Sequence, residues 1–581
     1  MTRGDAGRPR GPVASAAYGL LALVGAVVAL VYANRVFLDL PLYVGAESAH
    51  LVQALYGKTL AARADLLPHT RDLGDTLFGL IVRALTYATQ NLLPWLRVLS
   101  ACAYFGGLAL VLAGVRPSLD RNAAIGALLL ALAYPYYRFA AAALPEGWYV
   151  GLLGLAVFAT ARLYGSRPIA HAALAGALVG AMTLLQPPGL AVGAAFLILA
   201  VIDLLLGRRD PKVFFSRVAM FAVAFLASVN VVQLAADRAA SAPFSFYLGH
   251  RYDALLAGGV TPQGWIAGAR ALVAMAAASV MLAAVPALTG LLRVEMRWRW
   301  HRGRGAFVLA SHETTFLLVL FSFAATLGLT ALLATGENAD PSRIWGRQFE
   351  AMIPMLWLAA APFIGEFDRA GGRWWRMAVG AGPVVGLAVL AACLLGGVTP
   401  RAWDAAALSA FGLGQPVVAG LAALAIVAAG GATAFGRWAV PTIWLAAFAV
   451  LAVLSTALDV NWERSNAESR RAMADELAAA AVIVEQRPGG VAVISPDPVA
   501  ARMVYWRLRA RPLTILKTAD PAQLGEIDTI VAVGSRAPGA EWKAAFRGRE
   551  LTVFTRLTRI AETPRASVAG GGGLQSEPGS S

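Results

Sequence analysis

Blocks of apolar residues, each roughly the length of a helix that crosses the hydrocarbon core, recur along this chain and bound what it can fold into. They fall at roughly 15–38, 94–114, 122–140, 145–164, 169–186, 188–206, 216–236, 267–292, 313–335, 349–365, 377–397, 415–434 and 437–458. Of the 581 residues 58% are hydrophobic and only 14% charged, against about 25% charged in a soluble domain. The expected fold class is an all-α polytopic membrane protein of about 13 transmembrane helices with a small C-terminal α/β soluble domain. The basic segment 1–14 reads as a cytoplasmic tail. The block after it is too long for a signal-peptide core and reads as a retained first helix.

The net charge of +15 raises the question of nucleic acid, and its distribution argues against it. Arg and Lys cluster in short breaks between alternate blocks: Arg116 and Arg121, Arg162 and Arg167, Arg208, Arg209 and Lys212, the Arg293–Arg304 segment, Arg369 to Arg376, and Arg437. That is the positive-inside pattern, with the N-terminus in the cytoplasm of an inner membrane. An odd number of spans then puts the C-terminal segment outside. Cys102 and Cys393 lie inside apolar blocks, so neither suggests a disulfide or a metal site.

The expected transmembrane part, 15–458, has three outer loops of note. The first, 39–93, is long enough to hold interfacial helices, for example Ala46–Tyr56 and Leu73–Leu85. The second, 237–266, carries Phe244, Phe246, Tyr247, His250, Arg251, Tyr252 and Asp253; the third is 336–348. From about 459 to 560 the composition turns to that of a water-soluble α/β domain. A charged helix over Asn461–Gln486 precedes β-rich runs at Val491–Ser495, Leu513–Leu516, Thr529–Val533 and Leu551–Thr555, with a helical pattern at Val499–Arg509. The tail 561–581 is rich in Gly, Ser and Pro and is expected to be disordered.

Chemistry-bearing residues gather at the outer ends of the blocks. Glu47, in Gly-Ala-Glu-Ser-Ala-His ending at His50, suits a general base that takes a proton from an acceptor hydroxyl; it equally suits a solvated acid on an interfacial helix. Glu146 lies between the third and fourth blocks, where an acid also favours a helix N-terminus. Arg343 and Arg347 suit bidentate phosphate binding, or an ordinary interfacial arginine. Lys58, Arg63, His69 and Arg71 in the first loop are further phosphate-binding candidates. No Walker-type glycine loop, nucleophile elbow or metal-ligand spacing occurs, so no metal or cofactor is expected. Leu-Leu-Gln-Pro-Pro-Gly at 184–189 reads as a structural turn.

Together these features resemble the GT-C superfamily of polyprenyl-phosphate-sugar glycosyltransferases, in its bacterial protein-mannosyltransferase-like and aminoarabinose transferase-like branch. The resemblance rests on Glu47 after the first span, Pro68-His69-Thr70-Arg71-Asp72, then Leu92–Val111, Glu146 within Leu144–Arg162, Thr183–Gly189, and Arg347 through Pro354. It covers roughly 15–365. The chain departs from the family pattern at Ala46, where the family has an acid, at Gln186, where Arg is common, and at Gln348, where Tyr is common. The resemblance implies inverting transfer of a sugar from a polyprenyl-phosphate carrier, held against membrane lipid, to a lipid, glycan or protein acceptor on the outer face. It implies Glu47 as base, Glu146 as second acid, and Arg347, Arg343, Lys58, Arg63, His69, Arg71 and His50 as substrate-binding residues. A non-catalytic binder of lipid-linked glycan is the main alternative. A transporter is disfavoured at this level by the absence of a repeat and by ionisable residues lying at loop edges. The loop charges make one outcome checkable: a reporter that functions only outside the cytoplasm is active when fused at the C-terminus, and one that functions only inside is silent there.

Overall fold

A computed structural model describes residues 12–37, 47, 50–52, 54 and 76–557, except 90, 120, 207–209, 236–260, 302–308, 336–341, 371, 402–403, 437–439, 488, 509–512, 517, 519–523, 526 and 535–538. Residues 237–260 of the second outer loop, the first-loop cations at 58–71 and the tail after 557 lie outside the described residues; the last residues of that loop, from Pro262, open α9 instead. The chain divides into two compact units, Met1–Arg470 and Arg471–Ser581.

The first unit is helical. Its principal helices are α1 (Pro12–Phe37), α2 (Thr76–Ala88), α3 (Leu92–Val115), α4 (Arg121–Ala133), α5 (Glu146–Leu163), α6 (Pro168–Thr183), α7 (Gly189–Leu205) and α8 (Pro211–Ala235). They continue with α9 (Pro262–His301), α10 (Ser311–Leu333), α11 (Met352–Ala370), α12 (Arg373–Leu395), α13 (Pro416–Phe435) and α14 (Val440–Glu485). Proline opens α6 and α13, where its missing N–H costs nothing. Among the described residues seven helices are long and apolar enough to cross a membrane, and five shorter helices are also apolar. Large side chains such as Leu205, Phe215, Val223, Leu395 and Phe435 are exposed, as lipid-facing positions require.

Small residues set the closest helix contacts. Along α3 and α5, an added Cβ at Gly107 would lie 2.4 Å from the Val150 carbonyl oxygen, and one at Gly154 would lie 2.3 Å from that of Gly107. Gly147 meets Ser100 and Gly114 meets Ala161, so the two helices run parallel along a backbone-to-backbone seam. The seam brings the first turns of α5 level with the second turn of α3, and so Glu146 close to the level of Arg97.

The third predicted span, 122–140, is corrected at its end. Helix α4 stops at Ala133 because Tyr134 precedes Pro135 and is biased out of the helical region. The chain continues as a helical turn, Tyr137–Ala140, and a buried irregular stretch to Pro145. Backbone donors of that stretch are released from helix bonding, which the site below uses.

The second unit begins within α14. Among the described residues it has one five-stranded sheet, in the order β2-β1-β3-β5-β4. Strands β1 (Gly490–Ile494), β2 (Leu513–Leu516) and β3 (Ile527–Val533) are parallel, with α15 (Pro498–Arg507) between the first two. Strands β4 (Trp542–Arg547) and β5 (Leu551–Arg556) complete it antiparallel. Trp542, Ile530, Leu516 and Phe554 belong to its core. Strand β4 is absent from the sequence reading. It is an edge strand whose alternate residues Lys543, Ala545 and Arg547 are exposed, so its apolar signal is thin. The carboxylate of Glu476 on α14 accepts three backbone N–H groups of the β4–β5 turn, from Arg549, Glu550 and Leu551, at 2.6–2.9 Å.

Gly107→Leu forces α3 and α5 apart and lowers stability by about 1–3 kcal/mol. Gly106→Leu, one residue round the helix where an added Cβ meets nothing within 4 Å, leaves it unchanged. Thermal unfolding of the two variants in detergent distinguishes them.

Candidate functional site

Glu47 is fully buried rather than solvated. Its Oε1 accepts the Ala143 backbone N–H at 2.7 Å and Arg97 Nε at 3.4 Å; its Oε2 accepts Arg97 Nη2 at 3.4 Å. Arg35, at the end of α1, stands 3.8 Å from the same Oε2. The break after α4 supplies the Ala143 donor. These bonds fix the carboxylate in orientation.

Three residues beyond Ala143, Glu146 opens α5. It is buried, lies in the first turn where the helix dipole favours an acid, and is paired through Oε1 with Arg347 Nε. Its Oε2 is buried without a hydrogen-bond partner among the described residues. Arg347 lies on a helical turn, Gly346–Phe349, whose carbonyl at Arg347 accepts the Tyr136 hydroxyl at 3.2 Å. Arg343 pairs with Asp404 through two nitrogens and stacks on Trp345 at 3.9 Å. Burial pushes the Asp404 carboxyl above its ordinary range, and Arg343 pulls it back part of the way.

The structure adds residues that the sequence reading did not single out. Arg138 is completely buried in the turn after α4, paired with Asp459 on α14 and 3.8 Å from Glu463. Glu463 also approaches Arg35, at 3.7 Å. The Ser409 hydroxyl donates to Asp459. Glu350 is buried; its Oε2 accepts the Ala407 N–H at 3.1 Å, and its Oε1 has no hydrogen-bond partner among the described residues. Arg97, Asp459 and Glu463 lie inside long helices, so ionisable residues are not confined to loop edges, as the sequence reading supposed. The signal that could have found them is the cost of a charge in an apolar span, which makes each such residue a site candidate by default.

Of the predicted residues, Glu47, Glu146, Arg343 and Arg347 thus each face an opposite charge from another segment of the chain. His50 is buried one helical turn from Glu47, its ring edge-on to Phe78 at 5.9 Å. Lys58, Arg63, His69 and Arg71 fall outside the described residues. Among the described residues no group of three or more His, Cys, Asp or Glu side chains is disposed to hold a metal ion. The turn at 184–189 is structural: Gly189 packs where a Cβ would lie 2.4 Å from the Thr183 nitrogen, and the Leu184 carbonyl accepts the Leu77 N–H at the start of α2.

Exposure separates the arginines. Arg35, Arg97 and Arg138 side chains are at most 1% exposed, whereas Arg347 is 16% and Arg343 25% exposed. Only the latter two can add a contact to an incoming anion without leaving the protein interior. Glu146→Ala strands the Arg347 charge and costs about 3–5 kcal/mol; replacing both residues with apolar ones of similar volume recovers most of that loss, as denaturation in detergent reads it.

No protein-family model matches the sequence, and no curated protein matches it. Among solved structures the fold is similar to ArnT from Cupriavidus metallidurans in the apo state, with a TM-score of 0.51 and 16% identity over 93% of this chain and 98% of that one. The same protein bound to undecaprenyl phosphate gives a TM-score of 0.52 and 14% identity over the same shares. With its apolar helices and this likeness over nearly its whole length, the chain is a multi-pass membrane protein whose fold is similar to that of ArnT.

Proposed function

We propose that the chain is an integral-membrane glycosyltransferase that moves a sugar from a polyprenyl-phosphate carrier to an acceptor hydroxyl, at the membrane face that the loop charges assign to the outside. One observation carries the reading. Two buried acids, Glu47 and Glu146, meet a set of buried and half-buried arginines at one end of a bundle whose fold is similar to a protein solved with undecaprenyl phosphate.

In this reading the acceptor oxygen attacks the anomeric carbon from the side opposite the phosphate, and the sugar–phosphate bond breaks with inversion. The hydroxyl proton passes to Glu47, and the departing lipid phosphate takes up the negative charge. The Arg97 clamp orients Glu47, at some cost in basicity. Arg347 and Arg343 stabilise the phosphate, since they alone of the described site arginines have open surface. Each of the site arginines described above already faces an acid, so a phosphate needs further positive charge. Lys58, Arg63, His69 and Arg71 are the residues to supply it, with His50 at the edge of the site. The C-terminal unit is an accessory domain that shapes acceptor access. The N-terminus of α15, where a phosphate would sit in a nucleotide-binding domain, is capped by Asp497, whose carboxylate accepts the Ala500 N–H at 3.3 Å.

A second reading, a non-catalytic binder of lipid-linked glycan, draws on Ala46 in the place of a family acid and on the tight clamp around Glu47. Transfer from a labelled polyprenyl-phosphate sugar in reconstituted protein, with carrier binding measured separately, decides between them. Glu47→Gln lowers transfer by about 10²–10⁴-fold with carrier binding near that of the parent. Arg347→Ala weakens carrier binding as well, because a phosphate contact exists in the ground state. Near-parental turnover of Glu47→Gln moves the base to Glu146. Binding without transfer by the parent protein, even to water, favours the non-catalytic reading.

A further inference from the structure

Arg35 stands between two acids. Its Nη2 is 3.8 Å from Glu47 Oε2, and its Nε is 3.7 Å from Glu463 Oε1. Each separation is longer than a hydrogen bond, so the guanidinium is balanced between the two carboxylates by charge. Glu463 Oε1 also lies 3.8 Å from Arg138 Nε, but Arg138 is paired more closely with Asp459, one helical turn earlier on α14. The side chains of Arg35, Arg97, Arg138, Glu47 and Asp459 are at most 1% exposed, and that of Glu463 is 8% exposed. Water therefore screens none of these charges well.

The six residues carry three positive and three negative charges, so the cluster is balanced as it stands. Facing Glu47 are Arg35 from α1, Arg97 from α3 and the Ala143 amide. Facing Glu463 are Arg35 and Arg138, with Asp459 on its own helix and the Trp462 ring over the Arg138 guanidinium at 5.0 Å. Arg97 senses Arg35 and Glu463 as well as Glu47. Neutralising Glu463 leaves one positive charge in excess. Arg138 still has Asp459, whereas of the three acids Arg35 then faces Glu47. The excess falls on Glu47, whose two oxygens already accept Arg97.

We propose that Glu463 is a positioning residue for Glu47: by drawing Arg35 part of the way off it, Glu463 preserves the capacity of Glu47 to take a proton from the acceptor hydroxyl. The catalytic side of this role rests on the reading of Glu47 as the base. The electrostatic link between the two acids does not, and it can be measured without transfer activity.

Protonation of Glu47 is read in full-length, lipid-reconstituted protein from its carboxyl infrared band across a pH titration, the band being identified by its loss in Glu47→Gln. Glu463→Gln keeps the shape and removes the charge. It favours the ionised form of Glu47 and lowers the midpoint by about one pH unit. Glu463→Asp, which keeps the charge, stays nearer the parent. Arg35→Gln raises the midpoint instead, so the link is readable even where Glu463→Gln fails to assemble. In the Arg35→Gln background, Glu463→Gln moves the midpoint by less than half as much, because its route to Glu47 is gone. An unmoved midpoint in either single variant, or an equal shift by Glu463→Gln in both backgrounds, overturns the proposal. Transfer assays keep this outcome apart from the function proposed above. Glu463→Gln lowers kcat by about 3–10-fold with carrier binding near that of the parent, and the acidic limb of its pH–rate profile moves down with the infrared midpoint. Loss of activity with an unmoved limb is a merely structural effect and also counts against the proposal. A parent protein that transfers nothing, while the midpoint shift and its dependence on Arg35 persist, refutes Glu47 as the base and leaves the link between the acids intact.

Discussion

A charge in the interior of a membrane bundle is tolerated only when another element supplies its partner, and this requirement ties the first unit together. Arg35 from α1 and Arg97 from α3 meet Glu47 of the first loop; Arg138 after α4 meets Asp459 and lies near Glu463 on α14. Glu146 at the head of α5 meets Arg347, and Arg343 meets Asp404. None of these pairs lies within one helix, so the cluster forms only when segments from position 35 to position 463 have come together. Such pairs give little net stability over an apolar core. Breaking one is expensive, because the survivor stays buried and alone. They specify one arrangement of helices where lipid offers no hydrophobic force to select it.

Packing and chemistry meet at the two breaks in regular structure. The seam of Gly107, Gly147, Gly151 and Gly154 draws α3 against α5 at backbone distance. Pro135 ends α4 early and leaves an irregular buried segment, and one of its free amides, that of Ala143, holds Glu47. The irregular segment 141–145 is thus what holds an acid from the first loop inward.

The late part of the chain contributes as much as the early part. The turn that carries Arg347 also carries Glu350, which bonds to the Ala407 amide; Ser455 on α14 donates to the Ala407 carbonyl at 3.1 Å. Gly346 is needed beneath this contact, since a Cβ there would lie 2.7 Å from both Glu350 Oε1 and the Ala405 Cβ. Two loops and the last long helix of the first unit are therefore fastened to the same point as α1, α3 and α5.

Span positions were legible in the amino-acid order because hydrophobic thickness and helical rise act on each segment separately. The same reading singled out Glu47, Glu146 and Arg347 by their places at the ends of apolar blocks. It could not reveal Arg35, Arg97, Arg138, Glu350, Asp404, Asp459 or Glu463, each an isolated charge with no local pattern. Nor could it distinguish a solvated Glu47 from a buried one, or an interfacial Arg343 from one held by Asp404. Those distinctions are pairings between residues as many as 428 positions apart, as Arg35 and Glu463 are, and pairing is a property of distance in space. Local sequence determined which segments are apolar helices; only the packing of helices through small residues decided which charges meet between them.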